Sequence, residues 1–120
     1  MRNLRHLTLG ELIEELSLRD SRGRVLNGFG SWHPYHGNGA DVGFEPAHMT
    51  TIGLMLVQAK DALRNEGVSY NGNWHVMRAD SLTYLAEWGG YGEPITEFHL
   101  ECWDRETNAF PWKTPVRVQI

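Results

Sequence analysis

The sequence predicts an α+β domain: two helices packed on a mostly antiparallel sheet of about five strands. Three observations carry this reading. Leu9, Leu12, Ile13 and Leu16 recur at helical spacing near the start of the chain, and Ile52, Met55, Leu56, Ala59 and Leu63 do so again in its middle. Short runs around Val25–Phe29 and Asp41–Glu45 read as strands. From Ser69 onward the period changes from helical to alternating.

Taken in order, Thr8-Leu-Gly-Glu11 has the form of a capping box, with Thr8 as N-cap and Glu11 reaching back to its amide. Glu11, Glu14 and Glu15 favour the positive end of the helix dipole and form its solvated side. Asp20-Ser-Arg-Gly23 supplies the turn that ends this helix. Pro34 is expected to break any regular element between the two strands, and Pro46 to close the second. Thr50 or Thr51 then caps the second helix, which ends at Gly67, while Gly53 in its first turn implies close packing or exposed backbone there.

Beyond the helix, Tyr70-Asn-Gly-Asn-Trp74 carries a turn signal, His75 to Arg78 continues as a strand and Ala79-Asp80 turns again. Leu82, Tyr84, Ala86 and Trp88 alternate with less apolar residues, which assigns Tyr84 and Trp88 to the core. Gly89-Gly-Tyr-Gly92 is a loop. Ile95 to Trp103 reads as a further strand, with Phe98, Leu100 and Cys102 on one side and Glu97, His99 and Glu101 on the other. Val116, Val118 and Ile120 suggest a last strand.

The totals bound the function. At 120 residues, residues 1–120 form one domain with a single modest core. A net charge of −4 argues against a nucleic-acid polymer as partner, since such binders carry a basic stripe. A small anionic ligand needs only a local positive site. Cys102 is the only cysteine, so no intrachain disulfide forms and a four-cysteine zinc site is excluded. MRNLRHLTLG has no apolar core of signal-peptide length, and no run of 18 apolar residues occurs, so a soluble, cytoplasmic protein without a membrane partner is expected.

The richest stretch is Arg24 to Pro46, RVLNGFGSWHPYHGNGADVGFEP, where rings and imidazoles alternate with five glycines. Such a backbone adopts unusual dihedrals or is approached closely by something else. Phe29, Trp32, Tyr35, Tyr70 and Trp74 are candidates to stack on a base or another flat group, with core or interface packing as the competing role. His36, Arg78, Arg24 and the helix start at Thr50 to Gly53 are the candidate contacts for phosphate oxygens. His33, His36 and Asp41, with Glu45 and His48 near, are residue types that bind metal, but their spacing matches no established zinc pattern. Cys102 and His99 fall on opposite strand parities, no Gly-x-Ser-x-Gly elbow exists, and Gly28-Phe-Gly30 is too short for a dinucleotide fingerprint. No enzyme signature and no cofactor follow from these residues.

LTLGELIEEL (Leu7 to Leu16), FGSWHPYHG (Phe29 to Gly37), VGFEP (Val42 to Pro46), YNGNW (Tyr70 to Trp74) and LTYLAEWGGYGEPI (Leu82 to Ile95) together resemble a family of small phage and prophage proteins. Where that family places arginine before a loop glycine, this chain has His36 before Gly37, or His33 before Pro34 if the loop aligns one turn earlier. More distantly, its size, element order and aromatic-plus-glycine loops resemble the phage Thoeris anti-defence proteins, oligomers that sequester cyclic nucleotide-derived immune signals without cleaving them. The resemblance implies a non-enzymatic, homo-oligomeric protein in the host cytoplasm that holds a nucleotide-like anion. A protein inhibitor of a host protein and a metal-dependent hydrolase are the alternatives.

Overall fold

The capping box at the chain's start forms as its residues dictate. Thr8 Oγ1 accepts from the Glu11 amide at 3.2 Å, and Glu11 Oε1 accepts from the Thr8 amide at 2.9 Å. It opens α1 (Leu9–Ser17), which buries Leu9, Leu12 and Leu16. This computed structural model describes residues 5–35, 41–64, 66–68, 74–76, 78–88 and 90–109. After α1 come β1 (Arg24–Pro34), β2 (Val42–Thr51), α2 (Ile52–Arg64), β3 (Glu66–Val68), β4 (Trp74–Val76), β5 (Thr83–Leu85), β6 (Glu93–Pro94) and α3 (Glu97–Ala109). The α+β class is as expected, but with three helices. The main sheet has four strands in the order β1-β2-β5-β6, and β3 and β4 form a separate antiparallel pair. It is mixed, because β2 and β5 run parallel while the other neighbours are antiparallel. No helix among the described residues is long and apolar enough to cross a membrane.

Both prolines behave differently from the sequence expectation. β1 and β2 pair from Arg24↔Thr51 to Pro34↔Val42, well past the short strands anticipated. Pro34 is simply the last residue of its strand. Pro46 lies opposite Phe29, next to a shift in register at which Gly30 and Ser31 of β1 face Glu45 alone. A bulge already interrupts the ladder, so a residue without an N–H is tolerated there.

The largest correction concerns Ile95 to Trp103, which is a helix start and not a strand. Thr96 opens α3 by accepting from the Phe98 amide at 3.2 Å, and Glu97 occupies its first turn. The residues read as alternating also satisfy a period of 3.6: Leu100 and Trp103 are buried at i and i+3, while Phe98 is 45% exposed. Short apolar runs do not distinguish the two periods, and Glu97, Glu101 and Arg105 are good helix formers. The expected strand at Val116–Ile120 and the turn at Tyr70 to Asn73 lie outside the described residues.

The core joins all layers at three rings. Phe29 meets Phe44 with ring centres 4.3 Å apart and Trp103 edge-on at 5.7 Å, and all three are at most 1% exposed. Trp103 Nε1 donates to Asn27 O at 3.0 Å, which ties α3 to β1. Elsewhere, residues 6–8 thread between the ends of β5 and β6. Leu7 N–H donates to Ile95 O, and Leu7 O accepts from Thr83 Oγ1 at 2.9 Å.

Two outcomes follow. Replacing Phe29 with alanine removes a fully buried ring at the junction of β1, β2 and α3, and denaturant titration should show a loss of about 3–5 kcal/mol. The second concerns Glu11, whose carboxyl is held below its ordinary range chiefly by the Thr8 amide hydrogen bond, with Arg5 adding to it. A depressed carboxyl contributes stability at neutral pH that is lost as pH falls through its folded-state value. Glu11→Gln keeps the acceptor for the Thr8 amide and should flatten this part of the acid limb in urea midpoints measured from pH 7 to pH 3.

Candidate functional site: an aromatic face beside the β5–β6 loop

At the end of β1, Tyr35 leaves the strand and stacks on Tyr84 of β5 with ring centres 3.7 Å apart and planes 6° from parallel. His6 meets the Tyr84 ring edge-on at 4.9 Å. The Tyr84 phenol is pushed above its ordinary value, first by burial and then by the charge of Asp41, so it remains a neutral hydroxyl. The stack is anchored to the loop between β5 and β6, because Tyr35 Oη accepts from the Gly92 amide at 3.2 Å. Gly92 is required here, since a Cβ at this position would lie 1.8 Å from Leu85 O.

The other end of the loop is fastened to β1 and β2. His33, 3% exposed, packs against Gly43, whose missing Cβ would otherwise sit 2.6 Å from the imidazole. Its Nδ1 is 2.9 Å from Pro34 O and its Nε2 is 2.8 Å from Ala86 O. Glu45 Oε2 accepts from the Trp88 amide at 2.7 Å. Held in this way, the Trp88 ring rests edge-on over His33 at 5.0 Å and remains 52% exposed. Tyr91, 77% exposed, stands edge-on to Tyr35 at 6.5 Å. Two exposed rings on a loop held at the Trp88 and Gly92 amides, beside a stack of buried Tyr35 and half-buried Tyr84, make an aromatic face.

The residues nominated from sequence fall in several places. Phe29 is core and presents no ring face to solvent. Trp32 is half-buried against the core, with its Nε1 donating to Asp61 Oδ2 at 2.8 Å. Tyr35 belongs to the face but as a supporting ring, 6% exposed. Arg78 is exposed at the Ala79-Asp80 turn, which Ser81 and Leu82 connect to Asp41: Arg78 N–H donates to Ser81 Oγ at 2.8 Å, and Leu82 N–H to Asp41 Oδ1 at 3.1 Å. His36 and Tyr70 lie outside the described residues, as does the side chain of Trp74. Trp88 was assigned to the core by strand parity, yet β5 ends at Leu85 and the ring turns outward. Trp88-Gly-Gly-Tyr-Gly92 contains the missed signal: two rings among three glycines belong to a loop, where parity no longer applies.

Three chemical options also change. The start of α2 does not offer amides to a phosphate: the Ile52, Gly53 and Leu54 amides donate to Gly23 O, Ser21 O and Thr51 Oγ1. Gly53 therefore marks close packing, with Ser21 O 3.0 Å from where a Cβ would lie. For metal, His33 already has a carbonyl at each ring nitrogen, and among the described residues no group of three His, Cys, Asp or Glu is placed to hold an ion. His99 and Cys102 are three residues apart on one helix, not on opposite faces of a strand. His99 Nδ1 accepts from the Thr96 amide at 3.0 Å and its Nε2 faces Glu93, so neither nitrogen serves the thiol. Compared with family models, with curated proteins and with solved structures, the chain matches none.

The placement of Trp32 predicts a structural role. Trp32→Phe, which removes the indole donor to Asp61, should cost about 1 kcal/mol in denaturant unfolding, and Trp32→Ala about 2 kcal/mol.

Proposed function

We propose that this is a non-enzymatic binding protein whose recognition surface is the aromatic face of Trp88 and Tyr91, backed by Tyr35 and Tyr84. Its ligand is a small, planar, nucleotide-like molecule, as in the phage signal-sequestering proteins that the sequence resembles. The observation that carries this reading is the pair of exposed rings on a loop whose Trp88 and Gly92 amides are held by Glu45 and Tyr35, beside the parallel Tyr35–Tyr84 stack. Ordering the rings in advance lowers the entropy cost of binding, and each base stacked on a ring is worth about 1–3 kcal/mol. Arg78, at the turn joined to Asp41, supplies a cation for the negative part of the ligand. His6, His33 and His99 each face a backbone or carboxylate partner, which favours holding a ligand over proton transfer.

One observation favours a second reading. Glu45, Glu87 and Glu93 stand on the strands and loop that carry the rings, and this acidic setting suits a basic protein surface better than an anion. Tryptophan and tyrosine are also the usual anchors of protein interfaces.

Fluorescence titration with AMP, ADP and a cyclic dinucleotide separates the two. Saturable binding is expected, weakened about tenfold or more in Trp88→Ala and in Tyr91→Ala, with unfolding midpoints unchanged because both rings are exposed. Binding that survives both substitutions overturns this face as the site. Absence of binding to all three probes removes the nucleotide reading and leaves the protein-partner one.

A further inference from the structure

Three oxygens converge on the two ring nitrogens of His33, a side chain only 3% exposed. Nδ1 lies 2.9 Å from Pro34 O, while Nε2 lies 2.8 Å from Ala86 O and 3.3 Å from Glu45 Oε2. Carbonyl and carboxylate oxygens only accept, so each of these contacts requires a proton from the ring. Neutral imidazole has a single N–H. With that proton on Nε2, the Nδ1 lone pair faces Pro34 O; with it on Nδ1, the Nε2 lone pair faces Ala86 O and Glu45 together. Only the imidazolium donates at both ends, and it sets a positive charge beside the Glu45 carboxylate. Burial by itself favours the neutral ring, and these charge-assisted contacts oppose it. The other groups around the ring bring no competing cation. Gly43 packs against it, and Trp88 meets it edge-on at 5.0 Å. Tyr84, opposite Gly43 in β5, is a neutral hydroxyl, and the Tyr35 hydroxyl is engaged with the Gly92 amide. Glu87, exposed between Ala86 and Trp88, is a further negative charge on the loop.

We infer that a proton on His33 fastens the β5–β6 loop: the seated loop holds the imidazolium, and losing that proton loosens Ala86, Trp88 and the face they carry. Glu45 joins the two ends of this latch, because the Oε2 that faces His33 Nε2 also accepts from the Trp88 amide at 2.7 Å. When the ring is neutral, Glu45 loses its counter-charge and a carbonyl meets a lone pair at hydrogen-bond distance. A group that gains partners on protonation contributes stability at low pH that is lost as pH rises. The loop therefore tightens on the acid side of the range in which histidine changes charge, and loosens on the alkaline side. This property belongs to the loop itself and does not depend on what the face binds.

The test is amide exchange at Trp88 in the full chain from pH 5 to pH 8, corrected for the rate of an unprotected peptide at each pH. The nitrogen NMR spectrum of the His33 ring is recorded alongside. Protection is expected to fall about tenfold or more across this range, the effect of one hydrogen bond to a charged group. Both ring nitrogens should carry protons at pH 5. His33→Gln keeps a donor but cannot titrate, and should flatten the profile. Glu45→Gln keeps an acceptor for the Trp88 amide without the charge, and should reduce it. A flat profile in the unaltered protein, or one that persists in His33→Gln, overturns the proposal. So does a ring with a single N–H at pH 5, which is read on the unaltered protein however the variants fold.

Discussion

The contact between Phe29, Phe44 and Trp103 is where β1, β2 and α3 become one body. Each ring comes from a different element, and each is withdrawn almost completely from water. Buried aromatic rings supply the largest apolar area per residue, and their tilted and edge-on packing fixes orientation as well as distance. The Trp103 indole then donates to Asn27 O at 3.0 Å, and Glu106, three residues on, accepts from two further β1 amides. β1 is an edge strand, and α3 thereby occupies polar groups that would otherwise be open to pairing with another chain.

Once β1 and β2 are fixed, the aromatic face follows. His33 and Tyr35 project from the end of β1, and Glu45 from β2, and these three side chains hold the β5–β6 loop at Ala86, Trp88 and Gly92. Gly43 and Gly92 matter for space rather than for unusual dihedrals: one admits the His33 ring, the other the Leu85 carbonyl. The glycines of Arg24–Pro46 were expected to signal unusual backbone angles or close approach, and close approach is what Gly28 and Gly43 exhibit. Among the described non-glycine residues, positive φ occurs only at Met49, at 60°.

Local chemistry made much of the fold legible. The capping box at Thr8, the helical stripe of α1, the Asp20–Gly23 turn and the start of α2 at Thr51 all depend on neighbours in sequence. What could not be read depends on partners far along the chain. α3 was hidden because Phe98, Leu100 and Cys102 fit a strand as well as Leu100 and Trp103 fit a helix, and the packing of Trp103 on Phe29 and its bond to Asn27 O go with the second. The prolines marked a bulge and a strand end instead of breaks, because register with β2 is a tertiary property. The aromatic, glycine-rich stretch Arg24–Pro46 was expected to present its rings to a ligand, but Phe29 is core and Trp32 packs against it, and the exposed rings Trp88 and Tyr91 belong to a different segment, between β5 and β6. A ring's exposure is decided by the elements packed above it, which the spacing of rings does not encode.

The most direct measurement is amide hydrogen exchange at Trp88 and Gly92 in the free protein. The account rests on a face formed before any ligand arrives, with both amides bonded to Glu45 and Tyr35. It predicts slow exchange at both, and a rise at Trp88 alone in Glu45→Ala. Exchange at the rate of an unprotected peptide in the unaltered protein would contradict it, because the rings would then have no fixed frame from which to recognise anything.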